Sequence, residues 1–197
     1  MPKNNILQDD QMVTIDEVST VDIPDIEGID FVDYVNEEQL EDVMHLVQQD
    51  LSEPYSVFTY RYFLHRWPQL CILAVPSDSN DKRPIGCVVC KIDVKRDDGI
   101  DNAAGSADVN SKTYTGYIGM LAVETKYRRS GIGTALALRA IQRMKEMGCE
   151  SIQLETEVTN KGAMRLYEDR LGFIREELLV KYYLNWNNAY RLRLWLK

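Results

Sequence analysis

Histidine and cysteine are scarce in this 197-residue chain, at two and four residues. Cys87 and Cys90 stand three apart, like half of a metal knuckle, but no second pair follows, and a structural zinc needs four converging ligands. Cys87-Val88-Val89-Cys90 reads as a strand interior, where residues three apart face opposite sides. These two, with Cys71 and Cys149, are expected to be buried and reduced, and no metal is expected. Long apolar runs are also missing. No stretch approaches the ~18 residues of a membrane span, and Met1-Pro2-Lys3-Asn4-Asn5 lacks the apolar core of a signal peptide. A cytoplasmic protein without a membrane partner is expected. An excess of positive charge is absent as well. The net charge is −8, and residues 1–33 account for all of it, with nine acids against Lys3. The remainder is neutral. Phosphates would repel the acidic segment, so direct nucleic-acid binding is not expected.

The length suits one domain with a full core. An acidic extension over 1–29 precedes a domain over 30–197, with a polar loop at 95–112 that lacks periodicity. A strand over 30–35 leads into Asn36-Glu37-Glu38-Gln39, which has the form of a capping box. Leu40, Val43, Met44, Val47 and Leu51 follow at helical spacing. Pro54 breaks that helix, and Ser56 can cap a second one through Trp67. Strands over 70–75 and 85–94 form a hairpin. A strand over 114–123, a helix over 131–147 closed by Gly148, and a strand over 151–158 come next. Asn160 then caps a helix to about Leu171, Gly172 opens a strand through Leu184, and 189–196 returns as the last one. Helices and strands interleave around one mixed sheet, an α/β (α+β) layer fold.

The most informative segment joins the strand ending Leu121-Ala122-Val123 to the long helix. It reads Glu124-Thr125-Lys126-Tyr127-Arg128-Arg129-Ser130-Gly131-Ile132-Gly133-Thr134. The first turn of a helix has unsatisfied N–H donors and partial positive charge, which makes it a site for a diphosphate. Arg128 and Arg129 add charge where phosphate oxygens would sit. A dinucleotide fingerprint would need a third glycine where Leu136 stands, and a nucleotide P-loop would need a lysine after Gly133.

What remains, Arg128-x-x-Gly131-x-Gly133 in strand–loop–helix order, resembles the coenzyme A diphosphate loop of the GNAT acetyltransferases. Further segments are similar to the catalytic subunits of the N-terminal acetyltransferase complex NatC. They are Asp50-Leu51-Ser52-Glu53-Pro54-Tyr55-Ser56, Tyr60-Arg61-Tyr62-Phe63-Leu64, Trp67-Pro68, Tyr117-Ile118-Gly119-Met120-Leu121-Ala122-Val123, Leu154-Glu155-Thr156-Glu157-Val158 and Tyr182-Tyr183-Leu184-Asn185. The resemblance covers residues 30–197 and leaves out the acidic segment and the 95–112 loop. It implies a GNAT fold, a single mixed and mostly antiparallel sheet flanked by about four helices. It also implies acetyl-CoA as cosubstrate and acetyl transfer to protein N-termini that begin with Met and a hydrophobic residue. Two auxiliary subunits, one large and one small, would place such a chain on nascent polypeptides at the ribosome.

The same resemblance assigns residues. Backbone groups of Leu121, Ala122 and Val123 would bind the pantetheine arm, on a strand that in the family bulges and splays from its neighbour. Arg128, Arg129, Ser130, Gly131, Ile132, Gly133 and Thr134 would hold the diphosphate, with Asn160 and Ala163 beside the arm. Tyr167, four residues after Ala163 and so on one helix face with it, would protonate the departing sulfur; otherwise it is a core tyrosine. Glu155, on one strand face with Gln153 and Glu157, would be the base that accepts the amine proton. Glu157 is the alternative, and a solvated strand carboxylate is the plain reading of either. Leu51, Glu53, Tyr55, Tyr117, Met120, Tyr182 and Tyr183 would line the peptide site, the tyrosines flanking it from strands. The other readings are acetyl transfer to different N-termini or to lysine, and a coenzyme A-binding scaffold without turnover.

Overall fold

The computed structural model of the chain describes residues 23–50, 55–78, 83–96 and 112–196, with Asp50, Lys95 and Arg96 as backbone alone. Leu51 and Glu53, most of the acidic segment and most of the polar loop lie outside the described residues.

Seven strands make one sheet. They are β1 (Ile29–Asp33), β2 (Cys71–Pro76), β3 (Gly86–Arg96), β4 (Lys112–Val123), β5 (Cys149–Glu157), β6 (Ile174–Leu179) and β7 (Ala189–Trp195). The spatial order is β1-β2-β3-β4-β5-β7-β6. β4 and β5 run parallel, and every other neighbouring pair is antiparallel. A parallel pair needs a crossover, supplied here by α3 (Ile132–Glu146). With α1 (Leu40–Asp50), α2 (Val57–Arg66) and α4 (Lys161–Met164), it completes the mixed, mostly antiparallel architecture expected from sequence.

Side chains alternate across each strand, so the sheet carries two cores. On one face α3 and α4 pack with Val88, Cys90, Ile152 and Leu154. On the other α1 and α2 pack with Cys87, Val89, Met120 and Ala122. Cys87 and Cys90 therefore face opposite sides, and all four cysteines are buried and free. The alanines Ala135, Ala137 and Ala140 let α3 lie close to the sheet. At Gly86 even a methyl would stand 3.3 Å from Ile132 Cγ2 and Leu136 Cδ1.

The capping expectations hold, with one change. Ser56 Oγ accepts from the Thr59 N–H at 3.3 Å and starts α2. Asn36 accepts from the Glu38 N–H, but Gln39 reaches back to the Val35 N–H at 2.7 Å, and a 3-10 turn (Glu37–Gln39) precedes α1. Two larger corrections lie near the C-terminus. The helix after Asn160 is α-helical only to Met164 and then widens into a π turn over Arg165–Arg170. Its mark is the Leu171 N–H bond to the Leu166 carbonyl five residues back. The strand expected through Leu184 ends at Leu179. Lys181 and Trp186 take left-handed backbone angles that a strand cannot hold (φ 54° and 66°), and Asn188 Oδ1 accepts the Lys181 N–H at 2.8 Å. Residues 180–188 form the loop between β6 and β7 instead.

Residues 24–26, acidic in context, lie against α3. Arg139 donates to the Pro24 carbonyl and to Asp25 Oδ1 at 3.1 and 2.7 Å. Among the described residues no helix is long and apolar enough to cross a membrane.

Candidate active site

β4 and β5 pair only from Tyr114↔Cys149 to Tyr117↔Gln153. Beyond that they part, although β4 runs on to Val123 and β5 to Glu157. The β4–β3 register shows why. Val89 pairs with Met120 and Cys90 with Ile118, so Gly119 is an extra residue in β4. Such a bulge bends its strand and sharpens the local twist, and here it turns β4 away from β5. From Ile118 onward the β5-facing N–H and C=O groups of β4 no longer have a strand to bond. A linear amide chain can take that place as an added strand would.

The split is a cavity of about 380 Å³, the size of a small-molecule site. It is lined on the β4 side by Ile118, Gly119, Met120 and Leu121, and on the β5 side by residues 154–157. Thr159, Asn160, Ala163, Tyr167, Tyr55 and Tyr183 complete the lining. Leu154 and Thr156 border the cavity together with Glu155 and Glu157, because an unpaired strand edge exposes its backbone whichever face each side chain takes.

Glu155 lies on the α1–α2 side, opposite Leu154. Its side chain is 9% exposed. Oε2 accepts the Tyr117 hydroxyl at 2.8 Å, and Oε1 accepts Arg191 Nε at 3.0 Å. A carboxylate has about four lone-pair sites, so acceptor capacity remains for an amine or a water. Burial, with the Glu155 charge beside it, raises the Tyr117 phenol far above its ordinary range, and it remains a hydrogen-bond donor at neutral pH. Glu157 accepts from Asn185 and Asn187 of the β6–β7 loop at 3.0 and 3.3 Å. It thus anchors that loop at the rim.

Tyr167 enters from the α3–α4 side. It is 6% exposed, its carbonyl accepts the Phe173 N–H at 2.9 Å, and its ring meets Phe173 edge-on at 5.5 Å. Ala163 remains beside it in the lining despite the π turn. Asn160 Oδ1 accepts the Ala163 N–H at 3.0 Å, so the expected cap is formed.

At the head of α3 the first helical bond runs from the Ala135 N–H to the Gly131 carbonyl at 2.9 Å. The helix geometry leaves the preceding N–H groups, through Thr134, without an intrahelical acceptor. Arg129 and Gly131 take left-handed backbone angles (φ 65° and 92°), which wraps the loop around this end. A methyl on Gly133 would meet nothing nearer than Val123 Cγ2 at 3.8 Å. Packing within the described chain therefore does not call for glycine there, whereas close approach of a phosphate does. Ser130 Oγ donates to the Tyr127 carbonyl at 2.6 Å and Arg128 Nε to the Val123 carbonyl at 3.0 Å. Both side chains brace the loop, leaving the amides and the Arg129 charge for an anion. This donor set fits the diphosphate and pantetheine amides of acetyl-CoA.

Of the expected peptide-site residues, Tyr55, Met120 and Tyr183 border the cavity. Tyr117 reaches it through Glu155. Tyr182 is 48% exposed and packs edge-on against Tyr183 at 5.1 Å. Both tyrosines sit in the β6–β7 loop, not in a strand. Reading the sequence missed Gly119 as the bulge and Arg191 as the partner of Glu155. The second had a signal: Arg191 and Arg193 alternate with Leu192 and Leu194, a charged face on an otherwise apolar strand. Among the described residues no cluster of His, Cys, Asp or Glu could hold a metal ion.

Comparison with known proteins agrees with this geometry. Residues 40–173 match the model of the acetyltransferase (GNAT) family. The chain is 48% identical over 170 residues to human N-alpha-acetyltransferase 30, covering 86% of this chain and 41% of that protein. It is 44% identical over 162 residues to N-alpha-acetyltransferase 30 of Saccharomyces cerevisiae, covering 82% of this chain and 84% of that one. It thus spans about two fifths of the human relative and most of the yeast one. Among solved structures it superposes on a chain of the NatC complex bound to Gag peptide and CoA. There the TM-score is 0.74 and the identity 43%, over 86% of this chain and 99% of that one. An unpaired strand edge, a bare helix N-terminus and this similarity lead to one assignment: the chain belongs to the acetyltransferase (GNAT) family.

Proposed function

We propose that this chain transfers the acetyl group of acetyl-CoA to the α-amino group of nascent polypeptides beginning Met-Leu, Met-Ile, Met-Phe or similar. In this reading it is the catalytic subunit of a NatC-like complex in the cytoplasm, with a large and a small auxiliary subunit that bring it to the ribosome. One observation carries the reading. Glu155 and Tyr167 border the same cavity from opposite faces of the sheet, at the end of a strand edge that leads from the bare amides of α3. The NatC complex bound to Gag peptide and CoA, which this chain resembles over most of its length, supports both the cosubstrate and the partners.

When bound, acetyl-CoA supplies an activated acyl group and, on transfer, a sulfur that must take a proton. The α3 amides and Arg129 hold the anionic end. The β4 edge from Met120 to Val123 aligns the amide arm, and its N–H groups by the bulge can polarise a carbonyl oxygen. Glu155 accepts the proton of the incoming amine, directly or through one water. An α-amino group has a pKa of about 7.7–8, against about 10.4 for lysine, so a carboxylate already bonded on both oxygens suffices as base. Tyr167 donates its phenolic proton on the opposite face. Tyr55, Met120 and Tyr183 form the wall on the α1–α2 side, where the first two residues of the acceptor lie.

Peptides beginning Met-Leu, Met-Glu and Ser-Ser, and one with an internal lysine, test the assignment when incubated with acetyl-CoA. Met-Leu is expected to be acetylated fastest. A rate on Met-Leu no better than on Ser-Ser overturns the specificity, a preference for lysine overturns the acceptor class, and binding without turnover makes the chain a scaffold.

A further inference from the structure

The β5–β7–β6 third of the sheet carries a polar face on the α1–α2 side, and two arginines organise it. Arg191 pairs in register with Glu155 of β5 on one side and Glu177 of β6 on the other. Its Nε donates to Glu155 at 3.0 Å and its Nη1 to Glu177 at 2.6 Å. Two residues on, Arg193 donates to Glu176 and to Ser151, while Gln153 donates to Glu176. Neighbouring glutamates would point to opposite faces of a regular strand. The register shift between Arg175 and Glu177 makes Glu176 an extra residue, and this bulge lets both carboxylates meet arginines on one face.

We infer that Arg191 is a positioning residue for the acetyl transfer: its fork, anchored on Glu177, fixes the carboxylate plane of Glu155 so that Oε2 takes the Tyr117 hydroxyl and the remaining lone pairs face the cavity. The inference rests on Glu155 as base in the function proposed above. Arg191 itself is outside the cavity lining, so it acts through Glu155. A planar guanidinium holding two carboxylates sets their orientation in a way a mobile point charge does not. Without it, Glu155 keeps one hydrogen bond from Tyr117 and turns about its side-chain torsions. Misplacement of a reacting group by about 1 Å costs on the order of 10²-fold in rate.

The test is a double-mutant cycle on kcat, using whichever amine the wild-type chain acetylates best. Arg191→Met is expected to lower kcat about 10- to 100-fold, with coenzyme A affinity and peptide KM within about 3-fold. Arg191→Lys, which restores a cation, recovers part of the loss. In a Glu155→Gln background, Arg191→Met changes kcat no further, as required of a residue acting through Glu155. Should Arg191→Met not fold, Arg191→Gln, which keeps an amide NH2 but no charge, is read the same way. Wild-type kcat in a folded Arg191 variant overturns the inference, as does a loss that multiplies with that of Glu155→Gln. A wild-type chain that acetylates no amine overturns the proposed function instead.

Discussion

Gly119 offers a direct test of how the site is built. Its backbone angles are not left-handed, so alanine is conformationally allowed and space alone decides the outcome. A methyl there would lie 2.9 Å from both Cε1 and Cζ of Phe63 in α2. Carbon atoms pack best at about 3.5–4.0 Å, so ring or strand must yield by roughly 0.6–1.1 Å. Phe63 is 7% exposed and meets Tyr62 edge-on at 5.5 Å, which leaves the ring little room. Overpacking of this kind costs about 1–3 kcal/mol. At about 2–4 °C per kcal/mol for a chain of this size, Tm of Gly119→Ala falls by roughly 2–12 °C. If the strand yields, the bulge shifts by a large fraction of an ångström and kcat falls up to about 10²-fold. Phe63→Leu removes the offending ring atoms and is expected to return much of both losses when combined with Gly119→Ala. Thermal melts and steady-state kinetics on the single and double variants read this out. Unchanged Tm and kcat in Gly119→Ala would refute the packing argument, and failure of Phe63→Leu to restore either would refute its assignment to Phe63.

Tyr167→Phe removes the hydroxyl proposed as proton donor but keeps the ring against Phe173; kcat is expected to fall about 10²-fold or more with unchanged coenzyme A affinity by calorimetry. Gly131→Val places a β-branched residue at φ 92° and its Cβ 3.2 Å from Ile26 Cδ1; loss of coenzyme A binding in a folded protein is expected, and normal affinity would put the diphosphate elsewhere. The Glu176 carboxyl is held below its ordinary value by hydrogen bonds from Arg193, outweighing burial, with Gln153 adding to the effect. A folded pKa below the unfolded one means that this contribution is complete above about pH 4.3 and is lost as pH falls through the folded value. Glu176→Gln should therefore flatten the acid limb of a stability–pH curve measured by denaturant melts, and an identical limb would contradict the pairing.

Much of this was legible in the residues. The strand–loop–helix order around Arg128, Gly131 and Gly133 marked the start of α3 and its bare amides, because helix starts expose amides whatever the fold. Ser56 and Asn160 marked their helices through local bonds. The split between β4 and β5 was not legible locally: the bulge at Gly119 is visible only against the β3 register and the Phe63 ring, both distant in sequence. The aromatic run at Tyr182-Tyr183 has strand propensity, but left-handed turns at Lys181 and Trp186, held by asparagines, override it. The π turn at Tyr167 likewise arises after the helix begins, where spacing alone predicts an unbroken face.

The split passes through the sheet, not over it, with Tyr167 on one side and Glu155 on the other. Under the function proposed above, the two substrates would meet in this split from opposite faces of the sheet, and neither would have to leave first. The described lining holds no cysteine to carry the acyl group in between. Initial-rate lines at varied concentrations of both substrates should therefore intersect, the signature of direct handover within a ternary complex.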